Sequence, residues 1–302
     1  MEKILTLIVT YNGAQWIERC LKQIIENTIH SDILVVDNRS TDDTVSIIRS
    51  FSSDVQLIES ETNLGFGAAN NLGMRYAIES NYSYVFLLNQ DAYIQKDCIE
   101  KLLTSYKSSN SFGIISPIQL KPNGQEMDEV FFNQVKKHYK PTEEELMEAF
   151  KKESSLGPIE VRFVGAAAWF MSVEVIKKVG FFEAAFYHYG EDNNFAARTQ
   201  YFGRKIGIEP TTSMIHDRKP RSKESYLPIK LRSFPLHQLV DIRKPFAIAW
   251  LVGLNQLLAT KRKINKKYGS QYDQEYQKVK KWFFSDWRKA VALRAKFKKN
   301  NR

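Results

Sequence analysis

The stretch Ile33-Leu34-Val35-Val36-Asp37-Asn38-Arg39-Ser40 decides how this chain is read. Four apolar residues in a row leave no face for water, so they form a strand covered on both sides. The run stops at Asp37, and Asn38 to Asp43 is rich in turn residues. Ser40 is a good N-cap and predicts a helix through Ile48.

The same alternation continues on both sides. Ile4–Thr10 reads as a strand, after which Trp16, Ile17, Cys20, Leu21, Ile24 and Ile25 recur at helical spacing. Val55–Glu59 is a third strand, Ala68 to about Glu79 a helix, and Tyr84–Leu88 a fourth strand. The predicted class is α/β, a Rossmann-like, mostly parallel central sheet with helices on both faces. Polar residues gather at the strand ends, in Thr10-Tyr11-Asn12, Asp37-Asn38 and Asn89-Gln90-Asp91. Open α/β sheets bind ligands in the crevice at those ends, so the pattern predicts a nucleotide site.

Downstream, residues 121–160 lose this regularity and are predicted to be an insertion, with a turn at Pro122-Asn123-Gly124 and an acidic helix starting at Pro141. Strand character returns over Val161–Ser172, a helix over Glu191–Tyr201 and a strand over Lys205–Glu209.

The net charge of +10 over 302 residues is unevenly spread. From Arg218 onward, 23 basic residues face 5 acidic ones, a surplus of 18. Met1 to Asp217 holds 21 basic and 29 acidic residues, a deficit of 8. The tail should therefore seek anionic partners. Cys20 and Cys98 make no disulfide framework, and Lys3 to Asn12 lacks the pattern of a signal peptide. The longest apolar stretch, Phe246 to Leu258, is interrupted by Asn255 and Gln256 and falls short of the roughly 20 residues that span a bilayer. The expected location is the cytoplasm.

Four places could carry chemistry. A carboxylate just past a strand, Asp91, suits a hard cation on a diphosphate, or a cap for the helix near Asp97. Asp37 can accept from a nucleobase or ribose, or close an Asx turn. Glu191-Asp192 offers a base for an acceptor hydroxyl, or charge at a helix N-terminus, with Tyr187-His188-Tyr189-Gly190 supplying a bend and aromatic faces. His216 beside Asp217, after a strand and a Thr-Thr-Ser turn, reads as a metal or diphosphate contact, or as a packed residue.

Together these segments resemble family 2 of the glycosyltransferases, with the GT-A fold. The resemblance is carried by Val9–Asn12, Val35–Asp42, Asn63–Gly73, Leu87–Asp91 and Gly180-Phe181-Phe182 through Glu191-Asp192, with His216 downstream. The Asn63–Gly73 stretch is similar to the rhamnosyltransferase and galactofuranosyltransferase-like branch. The resemblance implies a catalytic domain at 1–217, whose nucleotide-sugar half is 1–95 and acceptor half 96–217, followed by a basic helical region at 218–302. It implies an inverting transfer from a UDP- or dTDP-sugar, rhamnose among them, to a glycan or lipid-linked acceptor in cell-surface polysaccharide synthesis. Thr10, Tyr11, Asn12 and Asp37 would hold the nucleoside, while Asn63, Gly67 and Asn70 would border the ribose, diphosphate or donor sugar. Asn89 would line the donor site. Asp91 would bind Mg²⁺ or Mn²⁺ with His216, Asp192 would be the general base, and Glu191 would position hydroxyls. Two departures stand out: Asn89 replaces the first Asp of the family's Asp-x-Asp metal motif, and Ala184 and Ala185 stand where acidic residues are frequent.

A sugar nucleotidyltransferase would carry a Gly-rich basic loop near the N-terminus, but Thr10–Gln15 has one Gly and no basic residue. A nucleic-acid binder would use Trp282, Phe283, Phe284 and Trp287, yet leaves the strand-end polar residues without a role. No nucleic-acid partner is expected. In the tail, Phe246, Ile248, Trp250, Leu251, Leu254, Leu257 and Leu258 make an apolar face beside basic residues. It predicts peripheral contact with the anionic inner face of the cell membrane, or packing on the catalytic domain, or a homodimer contact.

Overall fold

The computed structural model describes residues 2–136, 143–151, 157–186, 189–218 and 226–299. The first half alternates β1 (Ile4–Thr10), α1 (Ile17–Ile25), β2 (Asp32–Asp37), α2 (Thr44–Arg49), β3 (Val55–Glu59), α3 (Phe66–Glu79) and β4 (Tyr84–Asn89). The second half runs β5 (Ala92–Ile94), α4 (Cys98–Ser108), β6 (Phe112–Leu120), α5 (Glu129–Val135), α6 (Glu143–Lys151) and β7 (Ile159–Val161). It closes with β8 (Ala168–Ser172), α7 (Val173–Val179), α8 (Glu191–Tyr201) and β9 (Lys205–His216).

All strands join one sheet in the order β3-β2-β1-β4-β8-β6-β9-β5, with β7 also on β9. β1 to β4 are parallel, as the unbroken apolar runs require. Alternate residues of each strand feed two cores. Leu5, Leu7, Val85 and Leu87 pack with Met74 and Phe195 on one face, while Ile4, Ile8, Phe86 and Leu88 pack with Leu21 and Leu102 on the other. The chain lays strands outward from β1 to β3 and then returns to the far side of β1 to lay β4. That reversal opens a crevice above β1 and β4, where Val9 pairs with Asn89.

Beyond β4 the sheet is mixed. β8 runs antiparallel between β4 and β6, and β9 is parallel to β6 but antiparallel to β5 and β7. Three local expectations change. Ser40 does not cap a helix, because α2 starts later with Asp43 at its N-cap, and the Ser40 hydroxyl turns back to Asp37. Val161–Ser172 is not one strand: Val161 ends β7, which pairs with β9, and a loop through Gly165 leads to β8 in the slot beside β4. The strand from Lys205 continues to His216, and the supposed Thr-Thr-Ser turn is a bulge where its register with β6 shifts. Buried Glu209 accepts the Thr211 N–H there at 2.9 Å, satisfying a donor that the ladder loses. In the 121–160 segment, α5 is capped by Asp128 and β7 completes the sheet; Pro141 and Thr142 lie outside the described residues.

The tail forms α9 (Tyr226–Val240), α10 (Phe246–Tyr268), α11 (Asp273–Phe284) and α12 (Trp287–Lys299) around a third core that includes Leu231, Leu239, Leu257, Phe283 and Phe297. Phe186 joins this core, and Lys296 pairs with Glu183 at 3.0 Å, so the tail rests on the loop that leads to α8. Among the described residues no helix is long and apolar enough to cross a membrane.

Trp169 is fully buried, stacks on Phe182, and its indole N–H donates to the Val164 carbonyl at 3.2 Å. Trp169→Ala should cost about 3–5 kcal/mol of unfolding free energy, read from urea denaturation.

Candidate active site

Four strand ends and one helix start build the site. At the end of β1, Thr10 lies opposite Asp37 of β2, and the Asn38 N–H donates to the Thr10 carbonyl at 2.8 Å. Asp37 is buried and accepts the backbone N–H of Ser40 at 2.9 Å and the Ser40 hydroxyl. The Asx-type turn is therefore present. Asn12, at a φ of 46°, accepts the Thr41 N–H at 2.8 Å and binds the Ser40 hydroxyl through its own N–H. The loops after β1 and β2 are thus one hydrogen-bonded body, from which the Tyr11 ring stands half exposed.

Asn38 ties the third loop to it. Its amide donates to Asn63 at 3.0 Å and its oxygen accepts the Leu64 N–H at 2.7 Å. Asn70 is buried inside α3 and donates to the Phe66 carbonyl at 2.9 Å. Asn71 fastens α3 to the loop before α8, exchanging two 2.9 Å hydrogen bonds with the Phe182 backbone. Gly67 then sits against α8: a Cβ there would stand 3.1 Å from Phe182 Cβ and 3.5 Å from Glu191 Cβ.

On the other side of β1, the Gln90 side chain accepts from the Thr10 hydroxyl at 2.5 Å and from the Tyr11 N–H at 3.0 Å. Asp91 follows, and β5 pairing sets Ala92 opposite His216, so His216 Nε2 stands 3.5 Å from the Asp91 carboxylate. Burial works against an Asp91 charge, but the His216 hydrogen bond and charge outweigh it and hold the carboxyl below its usual range. The buried Nδ1 of His216 has no hydrogen-bond partner among the described residues. Among those residues no cluster of three or more His, Cys, Asp or Glu gathers to hold a metal.

The first turn of α8 supplies the last pair. Gly190 enters the helix at a φ of 99°, and an added Cβ would meet the Phe186 ring at 2.9 Å, so the bend needs glycine. Glu191 is buried, and one of its carboxylate oxygens has no hydrogen-bond partner among the described residues. Burial, and then the neighbouring Asp192 charge, push it well above the usual carboxylate range. Burial also raises Asp192, against hydrogen bonds from Asn193 and the Ala166 N–H. Tyr187 and His188 lie outside the described residues.

The cation side and the base side meet through the loop before β8. The Asn89 N–H donates to the Ala167 carbonyl at 2.9 Å, and the next residue back, Ala166, bonds Asp192. These two bonds tie the strand that leads to Asp91 to the turn that carries Asp192. Gln134 of α5 accepts the Gly165 N–H at 2.8 Å and braces that loop. Gln90, Asn38, Asn71, Gln134 and Ala166 were not assigned roles from sequence. Gln90 and Asn38 sat beside strand ends and could have been suspected, whereas Gln134 and Ala166 carry no local signal.

Hydrogen bonds thus tie the polar strand ends, the Asp91–His216 pair and the Glu191-Asp192 turn into one connected set of loops on an α/β sheet. Residues 6–180 match the model for glycosyl transferase family 2, and the chain belongs to that family; it is a glycosyltransferase with the GT-A fold. It is 28% identical over 240 residues to the low-salt glycan biosynthesis hexosyltransferase Agl10 of Haloferax volcanii, covering 75% of this chain and 72% of that protein. It is 25% identical over 218 residues to the dTDP-rhamnosyl transferase RfbF of Shigella flexneri, covering 70% of this chain and 68% of that protein. In fold it is similar to the mannosyltransferase PcManGT of Pyrobaculum calidifontis, solved with GDP-Man and Mn²⁺, at a TM-score of 0.59 and 17% identity over 99% of this chain and 85% of that one.

The raised Glu191 carboxyl gives a pH signature. Its contribution to stability is complete below its unfolded pKa of about 4.3 and is lost as pH rises through the higher folded value. Wild-type stability should thus fall from about pH 5 to about pH 8 at this site, and Glu191→Gln should flatten that slope in urea titrations.

Proposed function

We propose that the chain transfers a sugar with inversion from a UDP- or dTDP-sugar, dTDP-rhamnose being the first to test, to a glycan or lipid-linked acceptor in polysaccharide synthesis. The observation that supports this reading is the bridge Asn89–Ala167–Ala166–Asp192, which links a buried carboxylate to the strand end that leads to Asp91. Inversion needs a base on the face opposite the departing diphosphate. Asp192 takes that role: it is raised by burial, so its affinity for a proton suits removal of one from a hydroxyl. Glu191, protonated beside it, donates a hydrogen bond to a sugar or acceptor oxygen.

The donor lies along the strand ends. The Asp37–Ser40 turn and exposed Tyr11 hold base and ribose, and Asn63 and Gly67 border the sugar. Asn70 acts by fixing α3 from inside. The chemistry at Asp91 and His216 fits Mg²⁺ or Mn²⁺ that takes its remaining ligands from diphosphate oxygens and water, because such ions need few protein ligands. His216 Nε2 stands against Asp91, and its Nδ1, without a partner among the described residues, is the ring nitrogen left to face a diphosphate or a cation. When bound, the ion would neutralise charge on the leaving diphosphate. The low pKa of Asp91 keeps it charged for that purpose, and Asn89 beside it contributes a neutral amide. The Mn²⁺ of the mannosyltransferase and the dTDP-rhamnosyl activity of the Shigella relative are in keeping with these choices.

Asp192→Asn should lower turnover by about 10²–10⁴-fold while donor binding stays within about twofold, measured by steady-state assay and calorimetry across UDP- and dTDP-sugars. Near-normal turnover would remove Asp192 from the mechanism. Asp91→Ala should weaken donor binding by at least about tenfold in Mn²⁺, but change it little in a chelator. Donor affinity indifferent to both metal and substitution would overturn the cation assignment.

A further inference from the structure

The tail divides its apolar residues between two partners. Along α10, Ala249, Gly253, Leu257 and Ile264 are buried against the third core. The opposite face bares Ile248, Leu251 and Val252, which are 50%, 60% and 41% exposed. The α11–α12 corner adds Phe284, Trp287 and Val291, all exposed. These are one patch rather than scattered residues. The Trp287 ring lies 6.3 Å from Phe246, and the Phe284 ring 6.0 Å from Trp250, on the same half of α10.

Each helix continues its bare stripe as a row of cations. At about 100° per residue, Arg262 and Lys266 fall in line with Ile248 and Leu251, and Lys298 with Trp287 and Val291. Lys280, one turn before Phe284, holds its ammonium 5.9 Å from that ring's centroid, and the Arg288 guanidinium stands 5.5 Å from Trp287. None of these five cations makes an ion pair with a described residue. An apolar centre rimmed by free positive charge is complementary to a surface that is apolar inside and anionic at its boundary.

We infer that this face docks the enzyme on an anionic lipid bilayer, with Leu251, Ile248 and Phe284 entering the interface and the cations meeting phosphate headgroups. Other occupants fit less well. A twofold contact with a second copy would set the cation rim against itself. Nucleic acid would bind the cations but leave Ile248, Leu251 and Val252 without a role, because aliphatic groups do not stack on bases. Since no described helix can cross the bilayer, the face lies on the membrane.

Vesicle flotation of the full chain tests this. The wild type should float with phosphatidylglycerol vesicles but not with phosphatidylcholine, and added salt should release it. Leu251→Glu should weaken flotation by at least about tenfold, and the pair Arg262→Gln with Lys266→Gln should weaken it severalfold. Unchanged circular dichroism and melting would show that these variants fold, and their unchanged turnover of a soluble donor would separate this result from the catalytic reading. The inference is overturned by absence of flotation at low salt, or by Leu251→Glu binding as wild type does. It is equally overturned by a light-scattering mass of a dimer that Leu251→Glu splits while vesicles remain unbound.

Discussion

The hydrogen bond from the Asn89 N–H to the Ala167 carbonyl, at 2.9 Å, is where the two halves of the active cleft are joined. On its β4 side the chain proceeds to Asp91; on its β8 side, one residue back, Ala166 holds Asp192. β8 can make this bond only because it enters the sheet antiparallel to β4, so its start lies beside β4's end. A parallel strand in that slot would have put Ala167 at the far edge of the sheet. The mixed sheet is thus a condition for the site.

Burial works against the charge of all three carboxyl groups, and a partner reverses the outcome at Asp91 alone. Glu191 and Asp192 are adjacent in the first turn of α8, where the helix end offers favourable backbone dipoles. Desolvation and mutual repulsion are larger, and both groups are pushed toward the protonated form. Asp91 is also buried, but His216 across the β5–β9 pair compensates and keeps it ionised. Asp192 is thus held toward its protonated form and Asp91 toward its ionised form. Close by in sequence and in the same core, Phe182 and Phe195 pack their rings with Trp169.

The tail and the catalytic half are not independent. Phe186 is shared with the third core, Ser233 of α9 crowds Gly190, and the Arg198 guanidinium stands 4.7 Å from the Phe297 ring centroid. The bend that aims α8 into the cleft is therefore buttressed from behind by helices that expose another face to the outside. Along α10, Ala249 and Leu257 are buried while Ile248 and Leu251 are exposed, so the helix covers one face and bares another.

What the sequence determined by itself was whatever depends on neighbours along the chain. Unbroken apolar runs can only be strands covered on both faces, so β1 to β4 and their polar ends were legible, and with them Thr10, Asp37 and Asp91 as residues of one crevice. The Gly190 bend and the acidic start of α8 were legible for the same reason. Only the tertiary structure decided the mixed order of the second half, the break between β7 and β8 after Val161, and the turning of Ser40 onto Asp37. It alone set Gln134, Ala166 and Asn71 as braces, since each acts on a partner about 30 to 110 residues away. Periodicity reports which face of an element is buried; it carries no record of which distant backbone N–H or carbonyl will lie against that face.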